Sequence, residues 1–384
     1  MHMDLSIYFT PVDTVGQYSE HQLGFRINKF TTEFPDVEND SIVIFEIPEF
    51  RGSQWIHMSE QSASKFRESL YSLHVGTNWQ KSIFDFGIIK PGNNISDSQA
   101  ALKDVVFHLM KKNAIPIVIG GSQDLVFPVY KAYEKLEQFV NICSVDSKLD
   151  LGNPEDDLEE KGYLGKILFQ RPCYLFNHSN IGLQIPFAGT KEFDVYQKLC
   201  FDICRLGEFN QDFKKAEPHI RHADFLNIDF TSLKSSEINN PFGMPNGFYA
   251  EQICQIAKYA GFSDKLSCFA ILNYSYYTEL SDALLGQMIW YFIDGYENRV
   301  GDFPKGTKKE YTRFTVLLQH DTGHEINFYK SNRSQRWWME VPYPPKQGSK
   351  YERHVLVPCN KEEYDMATQN ELPDLWWKTY QKLL

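Results

Sequence analysis

Short runs of mostly apolar residues, unbroken by a polar alternation, constrain this chain more than any other feature. Residues 41–47 (SIVIFEI), 115–119 (IPIVI), 141–145 (NICSV) and 225–228 (FLNI) are such runs. A strand of this kind must be covered on both faces, as strands of a buried parallel sheet are. Helix-period segments lie between them. Residues 98–112 bring Leu102, Val105, Val106 and Leu109 to one face. Residues 247–260 do the same with Ile253, Ile256, Ala257 and Ala260, and Gly261 follows as a C-terminal stop. Ser281 is placed to cap a further helix, striped by Leu284, Leu285, Met288, Ile289 and Phe292. Strands alternating with helices predict an α/β protein with a mostly parallel sheet between helical layers.

This rhythm ends near residue 300. Residues 312–319, 325–330 and 336–341 read as strands joined by polar turns, and residues 373–384 as a short helical tail. The expected organisation is an α/β domain over 1–310 and a small β-rich module with a terminal helix over 311–384. No run approaches the ~20 apolar residues of a membrane span, and no secretory signal is read at the N-terminus. Seven cysteines without framework spacing fit reduced thiols, so a cytoplasmic location is expected. A net charge of −11 argues against a nucleic-acid-binding surface.

An open parallel sheet carries its site at the carboxyl ends of its strands. Three of these ends carry polar clusters: Gly120-Gly121-Ser122-Gln123-Asp124, Asp146-Ser147-Lys148-Leu149-Asp150 and Asp229-Phe230-Thr231. All three are expected to meet at one rim.

In order and setting these clusters resemble the GGDH, DAHxD and DxD motifs of the arginase, agmatinase and formimidoylglutamase family. Asn180-Ile181-Gly182-Leu183-Gln184 and the Pro- and Gly-rich segment 240–247 extend the likeness, which is nearest to formimidoylglutamase-like members and covers roughly residues 40–300. The resemblance implies a three-layer αβα fold and a centre of four carboxylates and two imidazoles around two manganese ions. It also implies oligomers, so a homo-oligomer is one expectation here.

The same likeness exposes departures. Gln123 stands where the first histidine belongs, Lys148 where the second does, and Thr231 replaces the last aspartate, while Asp146, Asp150 and Asp229 remain. On the family's pattern one ion's ligands become Gln123, Asp146, Asp150 and Asp229. These are all oxygen donors, able to hold at most one hard divalent cation such as Mn²⁺ or Mg²⁺, weakly. The other ion's set contains Lys148 and Thr231, and a protonated ammonium has no lone pair to give. Lys148 is expected to act as a charge surrogate for the lost metal, with a solvated loop lysine as the plain alternative. Asn273 is the counterpart of an acidic residue at a late strand end, and the proton-relay histidine has no match in Gly162-Tyr163-Leu164-Gly165.

Other features carry weaker chemistry. His320 and His324 bracket a hairpin turn rather than a metal site. Cys200 and Cys204, spaced as on a helix, read as buried thiols, and His219 and His222 as loop residues. Trp337 and Trp338, beside Arg333 and Arg336, read either as the core of the small module or as a partner-binding face. Two functions follow: a non-catalytic homologue that binds a protein partner or an amino-acid-like ligand, or a divergent hydrolase of formimidoylglutamate or another amidine that uses one residual metal.

Overall fold

The computed structural model describes residues 4–13, 16–53, 65–240, 243–274, 278–304, 308–318, 324–344 and 353–384. Ten strands form the main sheet: β1 (Phe9–Thr10), β2 (Asn28–Lys29), β3 (Ile42–Glu46), β4 (Ile83–Ile89), β5 (Ile115–Ile119), β6 (Val140–Val145), β7 (Leu175–Leu183), β8 (Asp202–Arg205), β9 (Phe225–Asp229) and β10 (Cys268–Leu272). Their order is β1-β4-β3-β5-β10-β9-β6-β7-β8, with β2 also on β4. Only β1 runs antiparallel among the described pairings. One buried apolar cluster lies on each face of the sheet, as expected for three layers.

The helices form for local reasons. Asn94 accepts from the amide of Asp97 at 2.9 Å, and the Asp97 carboxylate accepts from the Asn94 amide. This reciprocal cap starts the helix Ile95–Lys111, which buries Leu102, Val105, Val106 and Leu109. Two expectations need correction. The cap of the helix Glu279–Glu297 is Thr278, while Ser281 is buried inside its first turn and donates to the carbonyl of Ile238. Gly261 is not a stop, because the helix Ala250–Phe262 runs through it. A Cβ on Gly261 would lie 2.2 Å from the carbonyl oxygen of Phe292, and one on Gly295 would lie 2.1 Å from that of Lys258. These glycines let two helix backbones touch.

The C-terminal residues form a second, antiparallel sheet of β11 (Tyr311–Leu318), β12 (His324–Ser331), β13 (Trp337–Pro342) and β14 (His354–Cys359), in that order. A helix over Lys361–Thr368 precedes the expected terminal one, Asp374–Leu383. Trp337 and Trp338 are buried, so the partner-face expectation is corrected for both: they are packing residues. Arg333 is exposed and 3.6 Å from Glu310, whereas Arg336 is 3.5 Å from Glu217 and 3.7 Å from Asp302.

The second sheet is joined to the first at the amino ends of the large sheet's strands. Arg221 donates to the carbonyls of Trp337 (3.0 Å) and Cys359 (3.1 Å), and its guanidinium lies 4.6 Å from the Trp338 ring centre. Lys382 reaches Asn177 of β7 at 2.6 Å, and Lys378 lies 3.6 Å from Asp202 of β8. The carboxyl edge, where the three polar clusters lie, is therefore on the opposite side. No described helix is long and apolar enough to cross a membrane.

Candidate functional site

Strand register assembles the site. Ser144 of β6 is level with Asn180 of β7 and with Asn227 of β9. Side chains two residues apart share a face, so Asp146 and Asp229 project from the same face, one step nearer the carboxyl edge. Gln123, in the 3₁₀ turn Gln123–Leu125 after β5, joins them. Gln123, Asp146, Asp150 and Asp229 are all buried, and Lys148 is largely so.

Each motif closes on itself by hydrogen bonds. The Asp146 carboxylate accepts from the amide of Lys148 at 2.9 Å, and the side-chain amide of Asn180 donates to the Lys148 carbonyl at 2.6 Å. The Asp229 carboxylate accepts from the amide of Thr231 at 2.7 Å and from its hydroxyl at 2.8 Å. Gln123 donates its backbone N–H to Asn273 (3.0 Å) and its side-chain N–H to Asn227 (2.7 Å). Asp150 is held with φ of 47° and accepts from the amide of Leu164 at 3.2 Å.

Burial dominates the electrostatics. It pushes Asp146 up to about 7, assisted by the negative charge of Asp229. It raises Asp150 well above the usual carboxylate range, assisted by Asp146. The charge of Asp146 thus works against ionisation of Asp150, which favours keeping a proton on one of the two. For Lys148 burial pulls the other way, but Asp229, Asp146, Asp150 and Glu160 outweigh it and hold the ammonium above its ordinary value. Lys148 is therefore charged at neutral pH, and it acts on the carboxylates through space rather than by an ion pair within 4.0 Å.

These donors do not fit a pair of divalent ions. One set would include the Lys148 ammonium and the Thr231 hydroxyl, whose proton is already given to Asp229. In the other set Gln123 Oε1 and Asp146 Oδ2 are buried without a conventional hydrogen-bond donor, so oxygen ligands for a single cation remain. No group of three or more His, Cys, Asp or Glu in metal-holding geometry occurs among the described residues.

Other candidates lie elsewhere. Trp337, Trp338, Arg333 and Arg336 belong to the second sheet and its joint, remote from this centre. Cys200 and Cys204 do not share a helix: Cys200 follows one with φ of 55°, and Cys204 is in β8. His219 and His222 are on the helix Glu217–His222 rather than in a loop, and burial depresses the pKa of both. The turn between His320 and His324 lies outside the described residues.

Sequence reasoning missed Ser144, Tyr163, His178, Tyr196 and Asn227. Ser144 Oγ lies 3.0 Å from the Tyr163 hydroxyl and 3.1 Å from His178 Nε2, and the Tyr196 hydroxyl lies 2.7 Å from His178 Nδ1. Ser144 and Asn227 were legible as polar residues two positions before Asp146 and Asp229. Tyr163 and Tyr196 belong to helices packed over the sheet, and nothing local marked them.

Residues 41–219 match the Arginase family. No curated protein sequence matches the chain. Among solved structures, formimidoylglutamase from Bacillus subtilis is 13% identical at a TM-score of 0.63, with 75% of this chain and 95% of that one covered. Formiminoglutamase from Trypanosoma cruzi, solved with Mn²⁺, is 19% identical at a TM-score of 0.60, covering 69% and 96%. Arginase from Medicago truncatula is 16% identical at 0.55, covering 66% and 86%. Residues 41–219 are thus similar to the Arginase family, and the mostly parallel sheet between helices is the fold of these formimidoylglutamase and arginase structures.

Proposed function

We propose that this chain is a non-catalytic member of its family that works by binding a protein partner or an amino-acid-like ligand in the cytoplasm. One observation carries the reading. The carboxylates of Asp229, Asp146 and Asp150 keep Lys148 charged at the position of a metal-binding histidine. An ammonium there repels a divalent ion, at ~4 Å by about 4 kcal/mol per unit charge for an effective dielectric of ~20. A hydroxide bridging two metals, the nucleophile that a family enzyme relies on, has no support in such a set. The reading therefore allows at most one weakly held Mn²⁺ or Mg²⁺.

A second reading rests on the oxygen atoms left over. Gln123 Oε1 and Asp146 Oδ2 lack conventional donors, and a single cation bound there is the basis of a divergent amidine hydrolase. One experiment separates the two. Metal content of the purified chain is measured by mass spectrometry, and turnover of formimidoylglutamate, arginine and agmatine is assayed with excess Mn²⁺. The expected result is no product and no tightly held metal pair. Two tightly bound Mn²⁺ per chain, or substantial formamide or urea, would overturn the non-catalytic reading.

A further inference from the structure

The polar centre does not stop at the residues that stand at ligand positions. Ser144, Asn180 and Asn227 share the row beneath Asp146 and Asp229, and His178 lies two residues before Asn180 on the same face of β7. Polar groups this deep in a sheet are costly unless they are bonded to one another. Asn180 bonds to the Lys148 carbonyl instead, and the others form a continuous chain. Gln123 donates to Asn227 Oδ1 at 2.7 Å, and Asn227 donates to Ser144 Oγ at 3.0 Å. Ser144 meets His178 Nε2 at 3.1 Å, and His178 Nδ1 meets the Tyr196 hydroxyl at 2.7 Å.

The chain has a direction. The side-chain N–H of Asn227 faces Ser144, so its oxygen must face Gln123. If that amide were reversed, two N–H₂ groups would confront each other. Ser144 can accept from Asn227 because its own proton has an acceptor in Tyr163 or His178. The His178 ring is fully buried, and burial lowers its pKa to about 3. It stays neutral with one N–H and one acceptor nitrogen, as a link between Tyr196 and Ser144 requires.

We infer that His178 is a positioning residue: through Ser144 and Asn227 it orients the carboxamide of Gln123, so the centre keeps its arrangement without a divalent ion. This rests on the reading that the two-metal centre is lost.

The test follows the side-chain amide protons of Gln123 in the full-length labelled chain by NMR, assigned by their loss in Gln123→Glu. In chelator they should exchange slowly with solvent, and Mg²⁺ should not change that. His178→Phe should speed their exchange about tenfold, the scale of one lost hydrogen bond, and His178→Gln should restore part of the protection. Ser144→Ala breaks the chain while leaving the imidazole in place, so it gives the same readout if His178→Phe does not fold. Val129→Ala, a cavity in the helix Val126–Lys135, should lower the melting temperature without touching this exchange. Unchanged Gln123 exchange in both network variants would overturn the inference, as would protection that appears only when metal is present. Turnover of an amidine, with the Gln123 amide still protected in chelator, would overturn the non-catalytic reading alone.

Discussion

The hydroxyl of Thr231 donates to the carboxylate of Asp229 at 2.8 Å. A family enzyme has a second carboxylate at this position. The same Asp229 oxygen also accepts from the Thr231 amide at 2.7 Å, so one residue supplies two of its partners. A metal there would have to displace a hydrogen bond to a charged group, worth about 1.5–3 kcal/mol.

Changing Gln123→His, Lys148→His and Thr231→Asp together removes the ammonium, that hydroxyl and the carboxamide at once. Titration of the folded triple variant with Mn²⁺ should show two sites where the parent shows at most one. Activity need not return, because ligands work as a centre only when the groups behind them also hold them in orientation. A triple variant that folds but takes up no additional metal would mean that these three motifs have been wrongly aligned with the family's.

Lys148→Met keeps most of the side-chain volume and removes the charge that faces Asp229, Asp146 and Asp150. The folded-state pKa of Lys148 is raised, so its contribution is fully present at neutral pH and is lost only in strong alkali. The variant should be less stable at pH 7.5 by roughly 1–3 kcal/mol, the range of most single substitutions that remove an interaction of a partly buried group. The gap should narrow below the pKa of Asp146, which is about 7, as protonation removes the repulsion the lysine offsets. Added Mg²⁺ should recover part of the loss. Equal melting temperatures for both forms at pH 7.5 without metal would reduce Lys148 to a solvated loop residue.

The parallel sheet was legible because β3, β5, β6 and β9 need cover on both faces, and that need shows in their composition. The rim was legible because three polar clusters follow such strands directly. What could not be read depends on contacts between distant segments. Gly261 looked like a helix stop because its partner, Gly295, is on another helix. Cys204 was placed on a helix by spacing alone, although its backbone pairs with β7. β14 was not read as a strand at all; it carries Pro358, and as an edge strand it tolerates a residue without an N–H. Ser144 and Asn227 were passed over inside runs read for their apolar residues, and their role emerged only once register put them side by side.

Acid should test His178. Its pKa is about 3 in the fold against about 6.5 in an unfolded chain, so the unfolded state takes up the proton first. The stability tied to neutral His178 is present above pH ~6.5 and is lost as pH falls toward 3. By pH 5.5 the loss should reach about 1.4 kcal/mol relative to pH 7.5. His178→Gln does not titrate, so its stability should fall by about that much less between these two pH values. His219 and His222 are also depressed, but they remain in both proteins and cancel in the comparison. Denaturant titrations at the two pH values that show parallel losses would mean that His178 takes up its proton in the fold as readily as in the unfolded chain.

Arg221 lies two residues beyond the family match and is the joint between the two sheets. It pairs with Glu217 at 2.9 Å and donates to carbonyls on β13 and β14. Those carbonyls are buried, so deleting the guanidinium leaves them without that donor, and among the described residues Glu217 keeps Arg336, at 3.5 Å. Breaking buried pairs of this kind costs roughly 3–5 kcal/mol. Arg221→Met keeps an unbranched stem but removes the guanidinium that lies over Trp338, so the loss should reflect the charge, its hydrogen bonds and that stacking together. If residues 311–384 are a separate module, as their composition suggests, the cost should fall on them. Hydrogen exchange should rise across β11 to β14, while β5, β6, β9 and β10 keep their protection. Limited proteolysis should then cut near residue 305 and leave the α/β domain intact. A uniform rise in exchange over both sheets would instead show one cooperative unit, and the division near residue 310 would have to be abandoned.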